Sequence, residues 1–224
     1  LEPRLRGAIR DHVEIVPARS VIRCGDEPAA AVRSMPDSSI VVGSRLVVEG
    51  RASGLVSAGS TGALLAASLL LVKRVKGIHR PAILTSLPGL RGPVVLLDAG
   101  ANAECRPEQL VEFAVLGVAY ARAVLGKAAP RVGLLNIGEE EGKGNEQAKQ
   151  AYELLKQSGL NFIGNVEGRD IFSGKCDVIV CDGFVGNILL KSIEGVTMFI
   201  ARQVMKELGK IPSVFESLDY AKVG

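Results

Sequence analysis

The 224-residue chain predicts an α/β fold built on a mainly parallel sheet. Three observations carry that reading. Short, wholly apolar stretches such as 94–97, 132–135 and 178–180 have the composition of strands buried on both faces. Longer stretches of helical periodicity alternate with them, which is the pattern of βαβ units. Four apolar stretches also run into loops of small and amide residues with a helix to follow. These are Leu55-Val56 into Ser57-Ala58-Gly59-Ser60-Thr61-Gly62, Leu97 into Asp98-Ala99-Gly100-Ala101-Asn102, Leu135 into Asn136-Ile137-Gly138, and Val180 into Cys181-Asp182-Gly183.

Taken in order, the chain opens with the end of a helix and a strand at 13–16. Asp26-Glu27-Pro28 starts a short helix, with acids at its positive end and Pro in the first turn. Asp37-Ser38-Ser39 caps another, running through Val42, Leu46 and Val47 to Gly50. The stretch 52–56 reads as the first well-defined buried strand. Ser60 and Thr61 are good N-cap residues for the next helix. Lys73, Arg74 and Lys76, then Gly77 and Pro81, form its stop signal. A strand is expected over 83–87, ended by Pro88-Gly89. Pro107 opens a helix to Leu125 that stops at Gly126. A polar-faced helix spans 146–157 and ends at Gly159, and 161–164 is a further short strand. Asn187 reads as the start of a long helix reaching about Leu208. On it Val196, Phe199, Ile200, Val204 and Leu208 fall on one side. Core packing or a dimer interface is the default reading of that stripe, and a membrane-surface helix the sharper one. The whole of 1–224 reads as a single, incomplete α/β domain, with 193–215 as a helical extension for dimer or membrane contact.

Composition excludes several function classes. The apolar fraction of 47% suits a buried core, yet no uninterrupted apolar run reaches the ~18 residues of a membrane span. Leu1-Glu2-Pro3-Arg4 lacks the apolar core of a signal peptide, and a chain that does not begin with Met reads as a fragment. A net charge of +3, 4% aromatic residues and no Trp argue against nucleic acid as a partner. Cys24, Cys105, Cys176 and Cys181 show no zinc-ligand spacing and read as buried thiols. With only His12 and His79, a Ser-His or Cys-His nucleophile is disfavoured. No metal or cofactor is expected.

Ligands of parallel sheets bind off the carboxyl ends of the strands, and helix starts with uncovered N–H groups attract anions. The candidate phosphate- or substrate-binding residues are therefore Ser57, Gly59, Ser60, Thr61, Gly62, Asn102, Gly138, Asp182 and Gly183. Gly142-Lys143-Gly144-Asn145 is not a nucleotide loop. Only three residues separate Gly138 from Gly142, Gly144 stands where a hydroxyl residue belongs, and Glu139, Glu140 and Glu141 repel a triphosphate. A Lys between glycines before a helix suits a small anion, and it equally suits an exposed turn. Asp182, Asn187, Asn102 and Asn145 divide in the same way between capping and ligand contact.

Together these blocks resemble a known family. Ser57-Ala58-Gly59-Ser60-Thr61-Gly62-Ala63-Leu64, Lys76-Gly77-Ile78 with Arg80-Pro81-Ala82, and Leu96-Leu97-Asp98 with Gly100-Ala101-Asn102 look like its signature blocks. So do Arg131-Val132-Gly133-Leu134-Leu135-Asn136-Ile137-Gly138, Lys143-Gly144-Asn145-Glu146, Phe162-Ile163-Gly164-Asn165-Val166-Glu167-Gly168-Arg169-Asp170, and Asp182-Gly183-Phe184 with Gly186-Asn187. The family is the bacterial phosphate acyltransferases of phospholipid synthesis. The resemblance implies a three-layer α/β/α fold like that of isocitrate and isopropylmalate dehydrogenases and phosphotransacetylase. It implies attack of inorganic phosphate on the thioester of a fatty acyl carrier protein, giving acyl phosphate and the free carrier. It also implies a homodimer, cytoplasmic and peripherally associated with the membrane.

On that reading Lys143, Asn145 and Asn187 are the catalytic candidates, assisted by the amides of Ser60-Thr61-Gly62. A basic surface for the carrier is sought among Arg122, Lys127 and Arg202. The chain departs from the family pattern at Ser60, His79 and Glu139, where Asn, Asp and Thr are usual. The family's N-terminal strand and its continuation beyond Gly224 are not in the sequence, and the segment from Leu208 to Phe215 is shorter. Two rivals remain: a coenzyme A-dependent phosphotransacetylase of the same fold, and a non-catalytic scaffold for carrier protein or membrane. A metal-dependent dehydrogenase would need an aspartate cluster that the sequence does not show.

Overall fold

The computed structural model describes residues 12–208. The opening helix end and everything after Leu208, including part of the 193–215 extension, lie outside the described residues. The chain forms two compact units that meet in sequence between Pro81 and Ala82, and each is described by itself.

The first unit is helical. α1 (Pro28–Ser34) starts as expected, with the Glu27 carboxylate accepting from the N–H groups of Ala29 and Ala30. α2 (Ser39–Val48) follows, and Gly50 takes a φ of +71° just beyond it. α3 (Thr61–Ala67) passes into a π-helical turn, Ser68–Val72, and the chain leaves the helix at Lys73. The helix therefore ends before its cluster of cations, not at Gly77. Ile22, Ala31, Val32, Ile40, Val41, Ala63 and Ala67 form the buried core.

Neither strand expected in this unit forms. Val13 and Ile15 are exposed, and Val56 is 99% exposed. A strand needs a neighbouring edge to satisfy its backbone groups. The only bridge among the described residues of this unit is the isolated pair Ser20 and Ser38. Apolar composition alone cannot hold an extended segment straight.

The second unit carries the sheet. Its elements are β1 (Thr85–Leu87), β2 (Val94–Leu97), α4 (Pro107–Ala123), β3 (Val132–Leu135), α5 (Glu146–Gln157), β4 (Phe162–Val166), β5 (Val178–Val180) and α6 (Gly183–Leu208). Spatial order is β1-β2-β5-β3-β4, with β1 antiparallel to β2 and the other pairings parallel. The strands alternate between two cores, as their period of two requires. Val95, Leu97, Val132, Leu134, Val178 and Val180 face α4 and α5, against Leu110, Phe113, Ala114, Ala151, Tyr152 and Leu155. Val94, Leu96, Ile179 and Cys181 face the other way, toward Ile171, Cys176 and the first turns of α6 at Leu189, Leu190 and Ile193. The result is a mostly parallel sheet between two layers, as the sequence reading expected.

That arrangement positions the site. β2 and β3 send their following helices, α4 and α5, to one face. β5, which lies between them, sends α6 to the opposite face. Neighbouring strands whose connections diverge leave a crevice at their carboxyl ends. β5 has such a crevice on each side.

Candidate active site

The crevice between β2 and β5 is filled by the protein itself. Asp98 follows β2 and is fully buried. Its Oδ1 accepts from the N–H groups of Ile83 (2.9 Å), Gly100 (3.1 Å) and Ala101 (2.9 Å). Its Oδ2 accepts from the backbone N–H of Asn102 at 2.7 Å and from the Asn102 side-chain amide at 2.8 Å. The Asn102 carbonyl in turn accepts from the Gly183 N–H at 2.7 Å, tying the loop to the first residue of α6. A Cβ on Gly186 would sit 1.9 Å from the Asp98 carbonyl oxygen, so no side chain fits there. Asn102 is thus buried scaffolding behind the site, not an open ligand contact. Asp98, which sequence reasoning did not single out, organises the loop. Its signal was present: the small run Ala99-Gly100-Ala101 turns several N–H groups inward, and one carboxylate can collect them.

The crevice between β3 and β5 is open. It forms a pocket of about 350 Å³. Leu134, Asn136, Gly144, Asn145, Cys181 and Asp182 contribute to its wall, with Gln147 and Val185. Asn145 is the N-cap of α5; its Oδ1 accepts from the Ala148 N–H at 2.9 Å. Asp182 caps α6 in the same way, its Oδ1 accepting from the Val185 N–H at 2.8 Å. Asn136 bridges the two sides of its loop: its Nδ2 donates to the Lys143 carbonyl at 3.0 Å and its Oδ1 accepts from the Ile137 N–H at 2.8 Å. Gly144 has a φ of +93°, and a Cβ there would lie 2.6 Å from Asn136 Oδ1. Glycine is therefore required at this point of the loop. The Lys143 stem lies over Gly138, whose added Cβ would be 3.0 Å from Lys143 Cγ. Among the described residues no ion pair holds the Lys143 ammonium, and the side chain is exposed.

Asn187 is a correction. α6 begins at Gly183, so Asn187 lies in its second turn and cannot cap it. Its side chain instead borders Gly100, where an added Cβ would be 3.4 Å from Asn187 Cβ. Asn165 lies near the end of β4, buried, with its Nδ2 donating to the Glu140 carbonyl at 2.8 Å.

The Ser57–Gly62 loop lies in the first unit and follows no strand. Ser57 Oγ accepts from the Gly59 N–H at 3.1 Å, and Ser60 Oγ from the Ala63 N–H at 3.3 Å. The N–H groups of Gly59 and Ala63, on either side of the Ser60-Thr61-Gly62 amides, are therefore already paired. Gly62 and Thr61 complete the first turn of α3, with Pro28 close to Gly62.

The charges around the pocket sort by partner. Glu139 pairs with Lys175 at 2.9 Å. Hydrogen bonds from Tyr152 and then from Lys156 hold Glu141 below the usual carboxylate range. Cys181 lines the pocket, but burial pushes its thiol far up; it stays protonated and inert. Among the described residues no three His, Cys, Asp or Glu side chains gather as metal ligands. Lys127 is bound to Asp177 at 3.2 Å, immediately before β5. Arg122 stands near the end of α4. Both are at the opposite ends of the strands from the pocket, so neither borders it.

The family model described as fatty acid synthesis protein matches residues 3–218. A phosphate acyltransferase of Syntrophomonas wolfei is 51% identical over 212 residues, 94% of this chain and 66% of that protein. One from Heliobacterium modesticaldum is 56% identical over 211 residues, 93% of this chain and 63% of that protein. The chain belongs to the phosphate acyltransferase family. It spans less than two thirds of the length of these family members. A phosphotransacetylase from Streptococcus pyogenes superimposes with a TM-score of 0.60 over 74% of this chain and 57% of that one, at 20% identity. That likeness supports the α/β architecture of the family.

Proposed function

We propose that the protein carrying this chain transfers a fatty acyl group from the thioester of acyl carrier protein to inorganic phosphate. A phosphate oxygen attacks the thioester carbon, the C–S bond breaks, and the carrier thiolate leaves and takes up a proton. The observation that carries this reading is membership of the phosphate acyltransferase family, joined to a pocket at the β3/β5 crevice.

Phosphate is already a nucleophile, so the site has to hold it and stabilise the oxyanion that forms on the thioester. Lys143 supplies an exposed charge beside Gly138 that no ion pair holds among the described residues. The Asn145 Oδ1 is occupied by its cap, which leaves Nδ2 as the donor side of that amide. Asn187 offers a second amide from the Gly100 side of α6, and the starts of α5 and α6 bring their positive ends toward the β3/β5 crevice. One oriented donor to an oxyanion is worth ~10²–10³ in rate. Positioning of the two reactants adds to that.

The apolar stripe of α6 supports a homodimer or a peripheral membrane contact. From Glu194 to Glu207 every side chain on this helix is exposed, Phe199 by 62%. Helix α6 is also long and apolar enough to cross a membrane by length and composition. A cytoplasmic protein touching the membrane by this face fits the reading. Arg202, on the same exposed stretch, is the remaining basic candidate for carrier docking.

The test is incorporation of isotope-labelled phosphate into acyl phosphate, with matched acyl carrier protein and acyl-coenzyme A donors. Label transfer from the carrier donor is expected. Transfer from coenzyme A alone would reassign the substrate to the rival enzyme, and no transfer from either would leave a scaffold.

A further inference from the structure

We infer that the flank of α6 between Val185 and Ser192 is the channel for the acyl tail, and that Ile188 and Ser192 set how long a tail is accepted. The inference rests on the acyl transfer proposed above. A second pocket, of about 340 Å³, lies along this flank. It shares Leu135, Asn136 and Val185 with the pocket at the β3/β5 crevice. Its remaining wall is Gly168, Ile188, Leu189 and Ser192. The two spaces therefore adjoin along a common wall, and their chemistry differs. Asn136, Asn145 and Asp182 gather at the first, whereas the second is walled mainly by aliphatic side chains and one glycine.

A site that is polar at one end and apolar along a groove fits an amphiphile with a single unbranched chain. The polar end takes the carbonyl and phosphate, and the chain leaves along the helix. From Val185 to Ser192 the helix rises roughly 10 Å. Ile188 and Ser192 are four residues apart, so they stand one above the other on this flank. Ile188 is 52% exposed, an exposure that a bound chain would cover. Ser192 marks the far end of the groove and is small, so a larger side chain there shortens it.

The experiment uses the intact protein and a series of n-alkyl phosphonates, from butyl to dodecyl, titrated by calorimetry. Each added methylene buried in the groove should tighten binding by about fourfold. In Ser192→Phe the rise should stop at a shorter chain, and in Ile188→Asp the ratio of dodecyl to butyl affinity should fall by more than about tenfold. Circular dichroism of both variants checks the fold, which these exposed positions should preserve. Identical chain-length profiles in the wild type and both variants would overturn the groove assignment while leaving acyl transfer standing. An unchanged profile with an altered sedimentation coefficient in Ile188→Asp would give the groove to a second copy of the chain and also overturn it. No phosphonate binding by the wild type, together with no label transfer to acyl phosphate, would overturn both readings.

Discussion

Asp98→Asn is the substitution whose effect the structure determines most fully. All five groups that meet the carboxyl oxygens are N–H donors. An amide of the same shape can accept at one oxygen only. Retaining the three bonds at Oδ1 puts an NH₂ opposite the two Asn102 donors, which now approach at 2.7 and 2.8 Å. Hydrogen bonds to a charged acceptor are worth about 1.5–3 kcal/mol each, so losing two costs about 3–6 kcal/mol. Burial makes water a poor substitute at this position. Against a total stability of about 5–15 kcal/mol this is a large fraction. At roughly 2–4 °C per kcal/mol for a chain of this size, the melting temperature should fall by roughly 10 °C. The chain has no Trp, so urea and thermal unfolding followed by far-ultraviolet circular dichroism is the suitable assay. A loss below about 1 kcal/mol would show that the loop satisfies its donors without the carboxylate, and would refute the organising role given to Asp98.

Asn187→Ala should leave stability within about 0.5 kcal/mol, because the residue is an exposed helix interior position rather than a cap, yet it should reduce acyl phosphate formation; a stability loss with full turnover would restore the capping reading. Lys143→Ala should lower turnover strongly with the melting temperature unchanged, and near-normal turnover at saturating phosphate would remove it from the mechanism. At the other end of the sheet, burial pushes the Asp177 carboxyl up, but hydrogen bonds from the Arg131 side chain and backbone and from Lys127 outweigh it, and the group is held at about 2. A depressed carboxylate stabilises the fold above its unfolded value near 3.8 and loses that contribution as pH falls toward 2. The stake is about 2 kcal/mol, so Asp177→Asn should flatten the fall in urea midpoint between those two pH values. An equally steep fall in the variant would place the acid sensitivity elsewhere.

Much of the fold was legible because the second unit keeps its local and tertiary signals in agreement. Pro107 and Gly126 bracket α4, Asn145 and Gly159 bracket α5, and 94–97, 132–135 and 178–180 are apolar throughout since both sheet faces are covered. The two missing strands have one cause. Segments 13–16 and 52–56 have strand-like composition but no neighbouring edge, and composition cannot report whether a partner exists. Asn187 misled for a related reason: Asn is a good cap, but Asp182, five residues earlier, had already taken that role.

By itself, then, the sequence determined the alternation of helix and strand in the second unit, the loops at its strand ends and the family, since those rest on local periodicity, turn chemistry and residue identity. Tertiary structure alone decided which strand lies beside which. Placing β5 between β2 and β3, with α6 on the face opposite α4 and α5, opens one crevice at Asn136, Asn145 and Asp182 and closes the other over Asp98 and Asn102. Strand order is a property of long-range pairing, and nothing within reach of a local pattern encodes it.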